Sequence, residues 1–161
     1  MDVCNMGMYG TDKKEVGMSE ANEGKVKPIV VCLCGSTRFA DQHAIERWKL
    51  ERSGKHICLM INYLPAWYAK EQGWRGHDHF GEATGNKDVL DELHFHKIDL
   101  ADEILVINIG GYIGESTSRE IVYAMQLGKP VRLLEPTLLP ECKARLDAML
   151  KPNTPTTTKE P

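Results

Sequence analysis

A chain of 161 residues, 42% hydrophobic and 27% charged, with a net charge of −3 and an isoelectric point near 6.1, has the make-up of one soluble domain with a core. Its slight acidity excludes a general basic field for a polymeric nucleic acid. No run reaches the ~18 apolar residues that span a bilayer and the polar N-terminus lacks a signal-peptide core, which argues against a membrane partner and for a cytoplasmic protein. The five cysteines, Cys4, Cys32, Cys34, Cys58 and Cys142, follow neither a disulfide framework nor a zinc-ligand spacing.

Residues 1–25 are polar, contain glycine, show no period and read as a flexible arm. Residues 28–34 (PIVVCLC) predict a buried strand with Cys32 and Cys34 as buried thiols on one face, and Gly35-Ser36-Thr37-Arg38 is a small-residue turn at its carboxyl end. Ala40, Ala44 and Trp48 at i, i+4 spacing predict a helix face packed on the sheet, and residues 56–62 (HICLMIN) a second strand. Between about 63 and 86 the pattern is lost among scattered glycines and Pro65, Trp67, Tyr68 and Trp74. A stretch of that length reads as a lid or substrate-facing insertion within a domain running from 26 to 150.

A helix is expected over 88–99, a buried strand over 104–109 (ILVINI), and then a loop carrying Gly110, Gly111 and Gly114. The next helix has the Thr117-x-x-Glu120 spacing of a capping box, an apolar stripe of Ile121, Ala124 and Met125, and a stop at Gly128 and Pro130. A strand over 131–134, a helix over about 139–150 and a disordered Thr/Pro tail over 151–161 complete the chain. The alternation predicts an α/β fold. It should be a single doubly wound, mostly parallel sheet, flavodoxin-like or Rossmann-like, with helices on both faces.

In such sheets ligands bind at the carboxyl edge, where helix N-termini attract anions. Gly35, Ser36, Thr37 and Arg38 form one candidate binding loop; Gly111, Gly114, Glu115, Ser116, Thr117 and Ser118 form the other. Hydroxyls, arginines and free N–H groups suit a phosphate and a sugar, yet the same residues are ordinary turn and capping material. Neither loop has a Walker or GxGxxG pattern. Glu120 is a candidate nucleophile or base, or equally a capping residue. His94 is a candidate acid, base or hydrogen-bond partner just upstream of the third strand, or a surface histidine; Asp91 and Asp99 are alternative carboxylates. His77-x-His79 and His94-x-His96 do not have the i, i+3 or i, i+4 spacing of a helical metal pair, so no metal and no other cofactor is expected.

The segments CLCGSTRF at 32–39 and GESTSREIVYAMQLGKPV at 114–131 resemble the nucleoside 2-deoxyribosyltransferase-like superfamily, which includes deoxyribosyltransferases and nucleoside 5′-monophosphate N-glycosidases. The stretch beginning GGYIGEST is also similar to a group of uncharacterised proteins related to it. The resemblance covers residues 28–135 and implies cleavage or exchange of the N-glycosidic bond of a nucleoside or nucleoside 5′-monophosphate. It implies Glu120 as the nucleophile at C1′, Ser36 to Arg38 as the sugar or phosphate loop, Gly114 to Ser118 around the 5′ group, and a homodimer or higher homo-oligomer. Two positions depart from the family: His94 stands where an aspartate is usual, and Cys32 where an aromatic is usual. A non-catalytic nucleotide-sensing module of the same fold is the alternative.

Overall fold

The computed structural model describes residues 26–73 and 84–151. The expected arm, the tail beyond 151, and Cys4, Trp74, His77 and His79 lie outside them.

Four strands form the sheet: β1 (Ile29–Gly35), β2 (His56–Met60), β3 (Glu103–Ile107) and β4 (Val131–Leu133). They are all parallel, in the order β2-β1-β3-β4. The fold is the expected α/β one, and the sequence shows why: β1 and β3 are nearly continuous apolar, β-branched runs, as befits strands covered on both faces. Alternate residues divide between two core layers. Cys32, Cys34, Ile104 and Val106 face α3 (Lys87–Leu100), α4 (Glu115–Gln126) and α5 (Pro140–Leu150), whose Ile98, Ile121 and Cys142 complete that layer. Val31, Leu33, Leu105 and Ile107 pack on the other face with Leu50 of α1 (Ala40–Glu51). Each wholly buried Leu or Ile here contributes roughly 2 kcal/mol relative to exposure.

The entrance to β3 is pinned by reciprocal bonds: Val30 N–H donates to Asp102 Oδ2 at 2.8 Å, and Asp102 N–H to the Val30 carbonyl at 2.7 Å. Lys129 Nζ caps the end of α3 by donating to the carbonyls of Asp99 and Ala101. Among the described residues no helix is long and apolar enough to cross a membrane.

Three local expectations are corrected. The buried side of α1 carries His43 and Glu46, not the Ala40/Ala44/Trp48 stripe, and Trp48 is 63% exposed with Arg52 over its ring. Thr117 is not an N-cap: α4 begins two residues earlier, capped by Gly114 without any side-chain bond, so no capping box forms. The run over 104–109 leaves the sheet after Ile107, because Gly110 takes a left-handed φ of 63° in a 3-10 turn, Ile109–Gly111. Of the expected lid, residues 74–83 lie outside the described ones; its described part holds a short helix, α2 (Ala66–Glu71), on which Trp67 is exposed and meets Tyr68 edge-to-face.

Candidate functional site

From β1 the chain moves outward to β2 on one side, and from β3 to β4 on the other. Their carboxyl ends therefore leave a crevice between β1 and β3, the switch point at which open α/β sheets bind ligands. A cavity of about 440 Å³ occupies it, large enough for a nucleotide-sized molecule.

One wall is the turn after β1, where Ser36 Oγ accepts the Arg38 N–H at 3.4 Å and the Arg38 guanidinium lies 4.2 Å from the centre of the Tyr112 ring. The opposite wall is the start of α4, with Gly114, Glu115, Ser116 and Thr117. The third is α3. At the mouth Asp91 gathers the polar groups of both helices: it accepts from Lys87 at 3.0 Å, from Arg119 at 3.2 Å and from Ser116 Oγ at 3.3 Å. Lys97 closes the far corner by donating to the Met60 carbonyl at 2.8 Å.

The floor is a buried polar cluster. Without a capping box to hold it, Glu120 projects from the second turn of α4 into the cavity base, only 5% exposed. Its Oε1 lies 3.9 Å from Nε2 of His94, itself 2% exposed, and its Oε2 has no partner. His94 Nε2 is also 3.7 Å from Cys32 Sγ, and its Nδ1 is unpaired. Burial pushes the Glu120 carboxyl up, opposed by His94. Burial pulls His94 down, but Cys32 and Glu120 outweigh it and leave the imidazole above its ordinary value. The direction we assign to this coupled pair is upward for His94, because Cys32 and Glu120 each favour its charged form.

The neighbouring thiols diverge. Interaction with Cys34 brings Cys32 down to about 6 against the upward push of burial, while burial drives Cys34 well up. All four cysteines among the described residues are free, and the ligand atoms of Cys32, Cys34 and His94 lie within 4.8 Å of one another. Behind them His43 is wholly buried with both ring nitrogens unpaired, and burial lowers it to about 4. Tyr63, edge-to-face on His43, has an unpaired buried hydroxyl.

Most residues expected from the sequence meet here. Gly35, Ser36, Thr37 and Arg38 line the cavity, as do Gly114 to Thr117, His94 and Glu120. Gly111 and Ser118 do not. Gly111 is buried against the segment before α5, its carbonyl accepting the Leu139 N–H at 2.8 Å. Ser118 Oγ donates to the Gly114 carbonyl at 2.9 Å and accepts from Arg145 Nε at 3.2 Å, so it braces α4 against α5. Asp99 is turned away, accepting from the Tyr123 hydroxyl, and His96 is exposed.

Lys87, Lys97, His43 and Tyr63 were not legible as site residues. Lys87 reaches Ser116 across 29 positions, Lys97 the Met60 carbonyl across 37, and His43 meets Tyr63 across 20, separations that no local pattern reveals. His94 and Glu120 were legible only as alternatives to surface and capping roles. Compared with family models, with curated proteins and with solved structures, the chain finds no match.

Proposed function

We propose that the cavity binds a nucleoside or nucleoside 5′-monophosphate and that Glu120 cleaves or exchanges its N-glycosidic bond. One observation carries the reading: two ionisable groups, Glu120 and His94, stand 3.9 Å apart and almost wholly buried at the floor of a cavity whose walls carry hydroxyls, cations and a helix N-terminus. Buried carboxylates without hydrogen bonds are costly, and functional sites are where they persist.

Glu120 forms a bond to C1′ as the C1′–N bond breaks, and the departing base nitrogen takes a proton from His94. The neutral imidazole then accepts a proton from water, whose oxygen bonds to C1′ and releases the carboxylate; in exchange, a second base replaces water. An imidazolium in place of the family's usual aspartate suits this proton transfer, since its charge is already stabilised by Glu120 and Cys32.

A second reading, a non-catalytic nucleotide-sensing module, is favoured by the burial that pushes the Glu120 carboxyl up, because this disfavours the anionic form that attacks carbon. The test is chromatographic detection of free base from ribo- and deoxyribonucleosides and their 5′-monophosphates, with and without a second base. Release that vanishes in Glu120→Gln supports the glycosyl-transfer reading. Binding of the same compounds without turnover supports the module, and neither binding nor turnover discards both.

A further inference from the structure

The chemistry proposed above gives no bond-making or proton-transfer step to Cys32 and Cys34, two wholly buried thiols on the same face of β1. We propose that Cys32, Cys34 and His94 bind one zinc ion at the floor of the cavity, with the fourth coordination position open toward Glu120.

Residues two apart on a strand point the same way, so β1 itself brings the two sulfurs to the layer that α3 covers. From that helix His94 presents Nε2, not Nδ1, to Cys32. Zinc binds thiolates at about 2.3 Å and imidazole nitrogen at about 2.0 Å, which sets an S-to-N edge of about 3.5 Å in a tetrahedral site. The observed edge is 3.7 Å, and all three ligand atoms fall within 4.8 Å of one another before any ion draws them together. No other such group of three occurs among the described residues.

Two thiolates and an imidazole suit a soft or borderline ion such as Zn²⁺ and are poor ligands for Mg²⁺ or Ca²⁺. Access is through the cavity, since His94 and Glu120 line it while both cysteines lie behind them. A second, independent sign of a ligand is the carboxylate: Glu120 is 95% buried, with Oε1 3.9 Å from His94 Nε2 and Oε2 unpartnered. A cation there would satisfy it.

The zinc site does not depend on the glycosidic reading. Where that reading also holds, zinc occupies the His94 nitrogen that serves the leaving base, so base release falls as zinc is added and returns with a chelator.

The experiment titrates the full-length, tag-free, reduced protein with Zn²⁺ by calorimetry and with Co²⁺ by absorption, where thiolate ligands give a charge-transfer band in the near ultraviolet. About one ion per chain is expected. Cys32→Ser and Cys34→Ser should each weaken binding by at least about 100-fold, while Cys4→Ser, Cys58→Ser and Cys142→Ser leave it unchanged. Because a substitution in β1 can disturb folding, zinc-edge X-ray absorption of the unaltered protein gives an independent readout, expected to show two sulfur neighbours. Absence of stoichiometric binding, a site without two sulfurs, or a band that survives in folded Cys34→Ser would each overturn the proposal.

Discussion

His43 stands directly beneath Gly35, so that a Cβ built on this glycine would meet His43 Nε2 at 2.9 Å and the Ile107 carbonyl oxygen at 2.8 Å. Two features of the site share this one point: the turn that opens the cavity and the histidine that underlies it. The glycine is required by space as well as by its φ of 154°, and the carbonyl, being backbone of β3, cannot step aside.

Gly35→Ala should therefore destabilise the fold by about 3 kcal/mol, combining backbone strain with overpacking. Gly54→Ala is the control. Gly54 also has a positive φ, 68°, but a Cβ there meets nothing within 4 Å, so only the conformational penalty of about 1 kcal/mol remains. Urea denaturation of the two variants separates the contributions; equal losses would show that the contact with His43 and Ile107 is easily relieved.

His43 also makes stability depend on pH. Above 6.5 the imidazole is neutral in both folded and unfolded chains and contributes nothing. Below 6.5 the unfolded chain takes up a proton that the folded one refuses until about 4, so stability is lost as pH falls through that window. The gap corresponds to about 3 kcal/mol. His94, held above its ordinary value, acts in the opposite sense, so the informative comparison is between the unaltered protein and His43→Leu. The variant should lose less stability between pH 6.5 and 4, as measured by thermal midpoints. Parallel curves would mean that His43 is hydrated or paired in solution.

Asn108, the residue after β3, ties the end of that strand to the segment leading to α5. Wholly buried, its amide donates to the carbonyls of Glu135 at 2.8 Å and Thr137 at 3.2 Å, while its oxygen accepts the Glu135 N–H at 2.9 Å. Asn108→Ala leaves three backbone groups without these bonds and should cost about 2–3 kcal/mol. Asn108→Asp should not rescue it, because both carbonyls need a donor. Chemical denaturation checks each, and a stability near that of the parent chain for the aspartate would remove the donor argument.

What the sequence disclosed and what it hid divide along a physical line. The strands and the order of elements were legible because continuous β-branched runs such as 104–107, and the glycines after them, are local signals. The stripe of Ala40, Ala44 and Trp48 misled because α1 has its buried side set by what it covers. His43 faces Gly35, and Glu46 is sheltered by Gln42 and Lys49, arrangements that no helical period reveals. Glu120 lay in a pattern that fits a capping box, and only the start of α4 at Glu115 frees its carboxylate for the cavity. Cys32 and Cys34 were correctly read as buried thiols on one face. Their closeness to His94, 60 residues away from Cys34, depends on how α3 docks on β1.

The charge arrangement at the mouth separates phosphate recognition from recognition of the nucleoside itself. Arg119 reaches from the second turn of α4 to Asp91 at 3.2 Å and to Ser116 Oγ at 3.3 Å, beside Lys87 on the same carboxylate. Asp91 thus holds two cations at the rim while neutralising part of their charge. If the proposed ligand carries a 5′-phosphate, Arg119→Ala should weaken its binding about 10-fold, as expected for one charge-assisted bond at a partly exposed site, and leave the corresponding nucleoside unchanged. Asp91→Asn should act in reverse, strengthening monophosphate binding severalfold by leaving the cations uncompensated, with the gain fading at high salt. Calorimetric titration of the three proteins with one nucleoside and its 5′-monophosphate measures both effects. Equal changes for the two ligands would place the phosphate elsewhere in the cavity, as at the turn of Ser36 to Arg38.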